Sequence, residues 1–240
     1  MRRFAVGDIH GAYKALKEVL IASNFNYDTD KLISVGDTAD GWPDVSECFD
    51  ELLKIKNLVY VMGNHDDWLR NWFNFNSTLP IWTSQGGNAT LKNYRDRIKE
   101  EGAEFIEPHK KLLDEAPYYY ITEDNKCFIH GGYNWHYDIA DQSGYDLSWN
   151  RHLFATACMW QEWNEKDKPL IIAKHFDEVF IGHTSTCRSH PDMLPVHVSN
   201  VWNIDQGAGW EGKLTLIDID THEYWQSTLV KKLYPYIKGR

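Results

Sequence analysis

Five times along this 240-residue chain an apolar run breaks off, and the residues that follow pair glycine with a side chain able to bind a metal. "FAV" leads into Gly7-Asp8-Ile9-His10, "LISV" into Gly36-Asp37, and "LVYVM" into Gly63-Asn64-His65. "CFI" leads into His130-Gly131-Gly132, and "EVFI" into Gly182-His183-Thr184. Such runs read as buried strands. Open α/β sheets place their ligands in the crevice beyond the carboxyl ends of strands. Buried polar side chains without partners cost several kcal/mol, so strand ends of this kind need something to compensate them. The pattern predicts an α/β fold with chemistry gathered at one edge.

Helical signals lie between the runs. Tyr13, Leu16, Val19 and Leu20 have amphipathic spacing; Val45, Cys48, Phe49, Leu52 and Leu53 repeat it after Pro43, a good first-turn residue. The order β-α-β-α-β follows. Residues 66 to 116, rich in Trp, Asn, Lys and Glu, read as a mostly helical cap inserted between core strands, with stops at Gly102 and Pro117. A second insertion, about 133 to 170, contains the helical "RHLFATACMWQEW". The tail "NVWNIDQGAGWEGKLTLIDIDTHEYWQSTLV" alternates and turns like antiparallel strands. No low-complexity segment or linker divides the chain, which reads as one domain over residues 1 to 240.

Composition removes several classes of function. With 42% hydrophobic and 25% charged residues and no apolar run long enough to span a bilayer, the chain reads as soluble and globular, without a membrane partner. A net charge of −10 excludes the clustered Lys and Arg of a nucleic-acid footprint, so any phosphate must be held locally. Cys48, Cys127, Cys158 and Cys187 are scattered with no Cys-x-x-Cys pair, which fits a reduced cytoplasmic setting. The first strand is expected from about Arg3, where the apolar core of a signal peptide would otherwise begin.

Asp8 and His10 have the i, i+2 spacing that points two strand residues to the same side. Mixed carboxylate and imidazole donors suit Mn, Fe or Zn better than Ca. Asp37 adds a second carboxylate, Asn64 a neutral oxygen, and His130 and His183 two imidazoles, for six donors in all. Six exceed the needs of one tetrahedral zinc with an open position and suit two octahedral ions sharing a carboxylate. Two divalent cations bring four positive charges, against three negative ones from Asp8, Asp37 and a bridging hydroxide. The assembled site would stay electropositive and draw phosphate.

"GDIHG", "GDTADG", "GNHDD", "HGG" and "GHT", in this order, resemble the calcineurin-like metallophosphoesterases, and among them the bacterial and phage members of the phosphoprotein phosphatase family. "WNR" at 149 to 151 and "NIDQGA" at 203 to 208 resemble the bacterial branch, and the likeness runs from Phe4 to about Asp218. It implies an αββα sandwich of two mixed sheets flanked by helices, with helical cap insertions. It also implies two divalent ions, manganese foremost, with iron, zinc or nickel as the other candidates. Asp8 and His10 would bind the first, Asp37 would bridge, and Asn64, His130 and His183 would hold the second.

The resemblance further gives His65 the role of general acid toward the leaving oxygen, oriented by Asp40, with Asn64 and Arg151 touching substrate. Metal-activated hydroxide would attack phosphorus in line, and a protonated imidazole would neutralise the departing alkoxide. The implied activity is hydrolysis of phosphate monoesters, on phosphoprotein serine or threonine or on small phosphorylated molecules. Two alternatives stand beside it: a symmetrical dinucleoside tetraphosphate hydrolase, and a non-catalytic protein that binds metal and phosphate. Ser185 stands where nuclease-like relatives carry a second histidine after Gly-His. Gly41 stands where the phosphatases carry a phosphate-gripping arginine, and Arg70 and Arg188 are the candidates to replace it.

The other histidines (His109, His136, His152, His175, His190, His197 and His222) read as surface or core residues. Trp68, Trp72, Trp82, Trp160 and Trp163 read as core and lid packing rather than a platform for a base, and Cys187 as a small buried residue.

Overall fold

Each apolar run becomes a short strand whose alternate side chains enter different layers. The computed structural model describes residues 1–163, 174–237 and 239. Strands β1 (Arg3–Val6), β2 (Lys31–Ser34) and β3 (Asn57–Tyr60) are parallel neighbours, with Arg3 opposite Lys31 and Lys31 opposite Asn57. Helices α1 (Tyr13–Ala22) and α2 (Val45–Leu52) make the crossovers that parallel strands require. Pro43 falls ahead of the N-cap residue Asp44 and so outside the first turn of α2.

After β3 come helices α3 (Asn64–Phe75), α4 (Pro80–Trp82), α5 (Asn88–Glu101) and α6 (Glu107–Glu115). Gly102, at φ 92°, ends α5 in a conformation that only glycine takes readily. These helices do not stand apart. Trp72, Trp82, Leu91, Tyr94 and Leu113 pack into the same apolar cluster as Leu16, Phe49 and Phe4.

A second sheet follows, built from β4 (Tyr119–Ile121), β5 (Lys126–Ile129), β6 (Glu178–Ile181), β7 (Val196–Val198) and β8 (Val201–Asn203), in the order β4-β5-β6-β8-β7. Its outer face is covered by α7 (Gly144–Trp149) and α8 (His152–Trp163). Residues 164 to 170 of the expected second insertion lie outside the described residues. Strands β9 (Thr215–Asp218) and β10 (Tyr224–Gln226) return antiparallel to the first sheet beside β1, and α9 (Val230–Leu233) follows. The tail is therefore antiparallel at β9 and β10 as its alternation suggests, whereas β8 runs parallel to β6 in the other sheet.

The result is an αββα sandwich with three apolar layers. Ala5, Ile33, Val35, Phe128, Phe180 and Ile217 interdigitate between the sheets. Phe4 and Val6 face the α1–α6 side, and Cys127, Ile129, Val179 and Ile181 face α7 and α8. This alternation fixes the register of each strand, because a slip of one residue would turn its apolar set to the wrong layer. The carboxyl ends of β1, β2, β3, β5 and β6 consequently meet at one edge of the sandwich. No helix among the described residues is long and apolar enough to cross a membrane.

Candidate metal centre and active site

The donors of the five strand ends converge there in two overlapping groups. Asp8, His10 and Asp37 form one and Asp37, His130 and His183 the other, each with donor atoms within 4.8 Å of one another. Asp37 belongs to both. Its Oδ1 accepts the His65 N–H at 2.9 Å, at the start of α3, and its Oδ2 faces His130 Nε2 at 3.2 Å and His10 Nε2 at 3.6 Å. Asn64, the sixth expected donor, lies beside the second group, with Oδ1 3.1 Å from His130 Nε2.

Backbone carbonyls fix which ring nitrogen faces inward. His10 Nδ1 donates to Ala39 O at 2.9 Å and His130 Nδ1 to Val35 O at 2.8 Å, which leaves Nε2 of both rings turned toward Asp37. Asp8 accepts the His183 N–H at 3.0 Å, and this bond ties the two strand ends together. The convergence of Asp8 and His10 does not come from strand spacing. β1 ends at Val6, and His10 lies in a turn with φ 50°. Asp37, Asp40 and His183 also take positive φ, at 53°, 71° and 63°, so four site residues hold a backbone conformation that L-residues seldom adopt.

The recurring glycines serve close approach. A Cβ at Gly63 would overlap Asp37 Oδ1, and one at Gly182 would overlap Asp8 Oδ1. Each glycine lets one strand end pass against the carboxylate of another.

The donor set fits divalent cations. His183 Nε2 is buried without a hydrogen-bond partner. Burial, together with the neighbouring His130 and Arg151, drives the His183 ring down to about 2, so it stays a neutral electron-pair donor. Burial, then the carboxylates of Asp205 and Asp37, push Asp8 well above the usual range. Among the described residues no Lys or Arg pairs with Asp8 or Asp37, and buried like charges of this kind call for a cation between them.

Asp66 was not singled out from sequence, yet it organises the edge. Its carboxylate accepts the N–H groups of Asp37 (2.6 Å), Thr38 (3.0 Å), Ala39 (3.0 Å) and Gly63 (3.2 Å). It thereby clamps the loop after β2 to the start of α3 and closes a capping box there. Asp205, inside "NIDQGA", is a second carboxylate that the sequence motif concealed; it lines the cavity beside His10 and His183. The capping-box position of Asp66, three residues after Gly63, was the one local signal available.

His65 and Asp40 form a pair at 2.5 Å between Nδ1 and Oδ2, both buried. Trp68 meets the His65 ring edge-on at 4.9 Å, Trp149 meets His183 at 5.7 Å, and the two indoles touch at 5.5 Å. They form an aromatic wall beside the donors. On the other side lies a cavity of about 220 Å³ lined by His10, His183, Arg151, Arg188, Asp205 and Trp210. Arg151 is anchored by its bond to His183 O at 2.7 Å. Arg188 lies over the Trp210 ring, its Cζ 5.1 Å from the centroid. Arg70 instead bonds Asp67 and the Tyr118 hydroxyl and does not line the cavity. Cys187 is half-buried and lines the cavity, against the expectation of a small buried residue. The other seven histidines join neither donor group.

Residues 1–196 match the calcineurin-like phosphoesterase family, and the chain belongs to it. It is accordingly a phosphoric ester hydrolase of a class that works with divalent metal ions. Among its relatives is the serine/threonine-protein phosphatase 1 of Salmonella typhimurium, 27% identical over 221 residues that cover 90% of this chain and 91% of that protein. The symmetrical bis(5'-nucleosyl)-tetraphosphatase of Erwinia tasmaniensis is 30% identical over 142 residues, 58% of this chain and 47% of that protein. A metallophosphoesterase structure from Sphaerobacter thermophilus shares the fold with a TM-score of 0.55 at 15% identity, covering 98% of this chain and 95% of that one.

Proposed function

We propose that this chain hydrolyses phosphate monoesters at a dinuclear metal centre held by Asp8, His10, Asp37, Asn64, His130 and His183. The observation that carries the reading is the placement of Asp37 Oδ2 between His10 Nε2 and His130 Nε2, the geometry of a carboxylate shared by two ions. Two divalent cations held there, manganese foremost, would supply Lewis acidity toward phosphate oxygens and activate water. Arg151 and Arg188 receive the phosphate from the rim of the cavity, and Arg188 takes the place of the arginine missing at Gly41. Trp210 restricts the Arg188 guanidinium, so less freedom is lost when it grips an anion.

His65 protonates the leaving oxygen through Nε2, because Nδ1 is engaged by Asp40. A protein that only bound phosphate would have no use for this pair, which argues for catalysis over silent binding. The substrate class we favour is a phosphoserine or phosphothreonine protein, in keeping with the relative that matches over nine-tenths of both chains. The second reading, a dinucleoside tetraphosphate, rests on a groove of about 810 Å³ that shares Cys187, Arg188 and Trp210 with the cavity and extends past Tyr236. That groove has room for a nucleoside. We read the whole chain as one domain, with 66–116 and 133–170 as its insertions, and its four scattered cysteines, with no Cys-x-x-Cys pair, support a reducing, cytoplasmic setting.

Parallel assays of 4-nitrophenyl phosphate, phosphoserine peptides and diadenosine tetraphosphate with added Mn²⁺ separate these readings. The reading requires turnover of the monoesters. Exclusive cleavage of the tetraphosphate selects the second reading, and cleavage of none by the metal-loaded protein leaves only the silent binder.

A further inference from the structure

The Asp40 carboxylate is held from a side that no motif announces. Trp82 Nε1 donates to it at 2.8 Å to Oδ1 and 2.9 Å to Oδ2, and the Thr90 hydroxyl donates to Oδ1 at 2.6 Å. The same hydroxyl accepts the Asp40 N–H at 2.9 Å, so its single proton is directed at the carboxylate. Oδ2 then faces His65 Nδ1. Asp40 and Thr90 are 0% exposed, and Trp82 and His65 are 1% exposed.

Both donors come from the helical segment between β3 and β4: Trp82 ends α4 and Thr90 lies in the first turn of α5. A buried indole N–H ordinarily needs only a backbone acceptor, as Trp42 finds in Ala208 O at 2.7 Å. Trp82 instead spends its N–H on a buried carboxylate, and the backbone is shaped to allow this. Gly87 lies so close that a Cβ there would sit 2.6 Å from Trp82 Nε1. For packing alone, any large apolar side chain would serve at 82 and any small one at 90.

We propose that Trp82 and Thr90 are positioning residues for leaving-group protonation. They fix the plane of the Asp40 carboxylate, and through Oδ2 they fix the rotation of the His65 ring and the direction of its Nε2. The helical insertion thus acts on the chemical step as well as on packing. This inference rests on the reading of His65 as the proton donor.

The test compares 4-nitrophenyl phosphate, whose leaving group needs little protonation, with phenyl phosphate, whose leaving group needs more. Trp82→Phe and Thr90→Val should each lower kcat on phenyl phosphate at least about tenfold more than on 4-nitrophenyl phosphate. KM and bound Mn should stay at the native level, and Thr90→Ser should restore kcat on both substrates. Equal losses on the two substrates, or no loss, would overturn the inference. His65→Asn, run alongside, separates the two levels. If it shows the leaving-group dependence and the Trp82 and Thr90 variants do not, positioning alone fails; if it lacks the dependence, the donor role fails and positioning falls with it. Thermal melts identify a variant that has lost its fold, and Thr90→Ser, which keeps the hydroxyl and gives up only a methyl group, remains decisive: a leaving-group-dependent loss there contradicts the inference.

Discussion

His65 Nδ1 lies 2.5 Å from Asp40 Oδ2, and both side chains are almost wholly buried. The two residues come from different strand ends, after β3 and after β2, so their meeting is a property of the sheet edge. With Nδ1 engaged by Asp40, Nε2 is the ring nitrogen assigned to the leaving oxygen. His65→Asn is expected to keep its metal content and to lose about 10² to 10⁴ in kcat on alkyl phosphates. Unchanged turnover of a phosphoserine peptide would contradict the role.

Arg188 is an exposed cation restrained on one face by Trp210 and open to the cavity on the other. Arg188→Ala should raise KM about tenfold, the equivalent of about 1.4 kcal/mol, with little change in kcat. Arg188→Lys should recover part of the loss, because an ammonium keeps the charge but not the two-pronged geometry. The same substitutions at Arg70, which is engaged with Asp67 and Tyr118, should leave KM unaltered.

Asp66→Ala removes the acceptor of four backbone N–H groups. Stranding them should cost about 3 kcal/mol, and for a chain of this size the melting temperature should fall by roughly 6 °C or more. Because the clamp also sets the loop that carries Asp37, Mn affinity should weaken about 10- to 100-fold. Calorimetry and a metal titration on one preparation check both effects.

Glu51 supplies a pH dependence far from the metal centre. Burial works to raise its carboxyl, but hydrogen bonds from Lys17, Lys54 and Tyr27 prevail and hold it at about 2, against an ordinary 4.5. A carboxylate depressed in this way stabilises the fold fully above the unfolded value, and its contribution is lost as pH falls from about 4.5 toward 2. Melting temperatures of the native chain should therefore drop over this interval, and Glu51→Gln should be less stable at neutral pH with a shallower drop. A parallel decline in the two proteins would count against the assignment.

What could be read from the sequence was whatever repeats locally. An apolar run followed by glycine and a metal-binding side chain signals a strand end, so the α/β class was legible and six candidate donors could be named before any contact was known. The i, i+2 spacing of Asp8 and His10 names the right pair for another reason: a turn with His10 at positive φ, and not strand alternation, aims the ring. Trp82, Thr90 and Asp205 carried no such signal. Trp82 and Thr90 meet Asp40 across 42 and 50 positions, and nothing in a stretch such as "LPIWTSQGGNAT" distinguishes an indole that serves a carboxylate from one that only fills space. The parallel partner of β8 was hidden for the same reason, because strand pairing across sheets is a long-range choice.

The proposed sharing of Asp37 between two ions is tested most directly by counting metal. After reconstitution with Mn²⁺ and removal of excess, elemental analysis of the native protein should find two ions per chain. His183→Ala should retain the ion held by Asp8, His10 and Asp37, whereas Asp37→Ala should weaken both. One ion or none in the native protein, or two undiminished ions in Asp37→Ala, would contradict a centre built around that carboxylate.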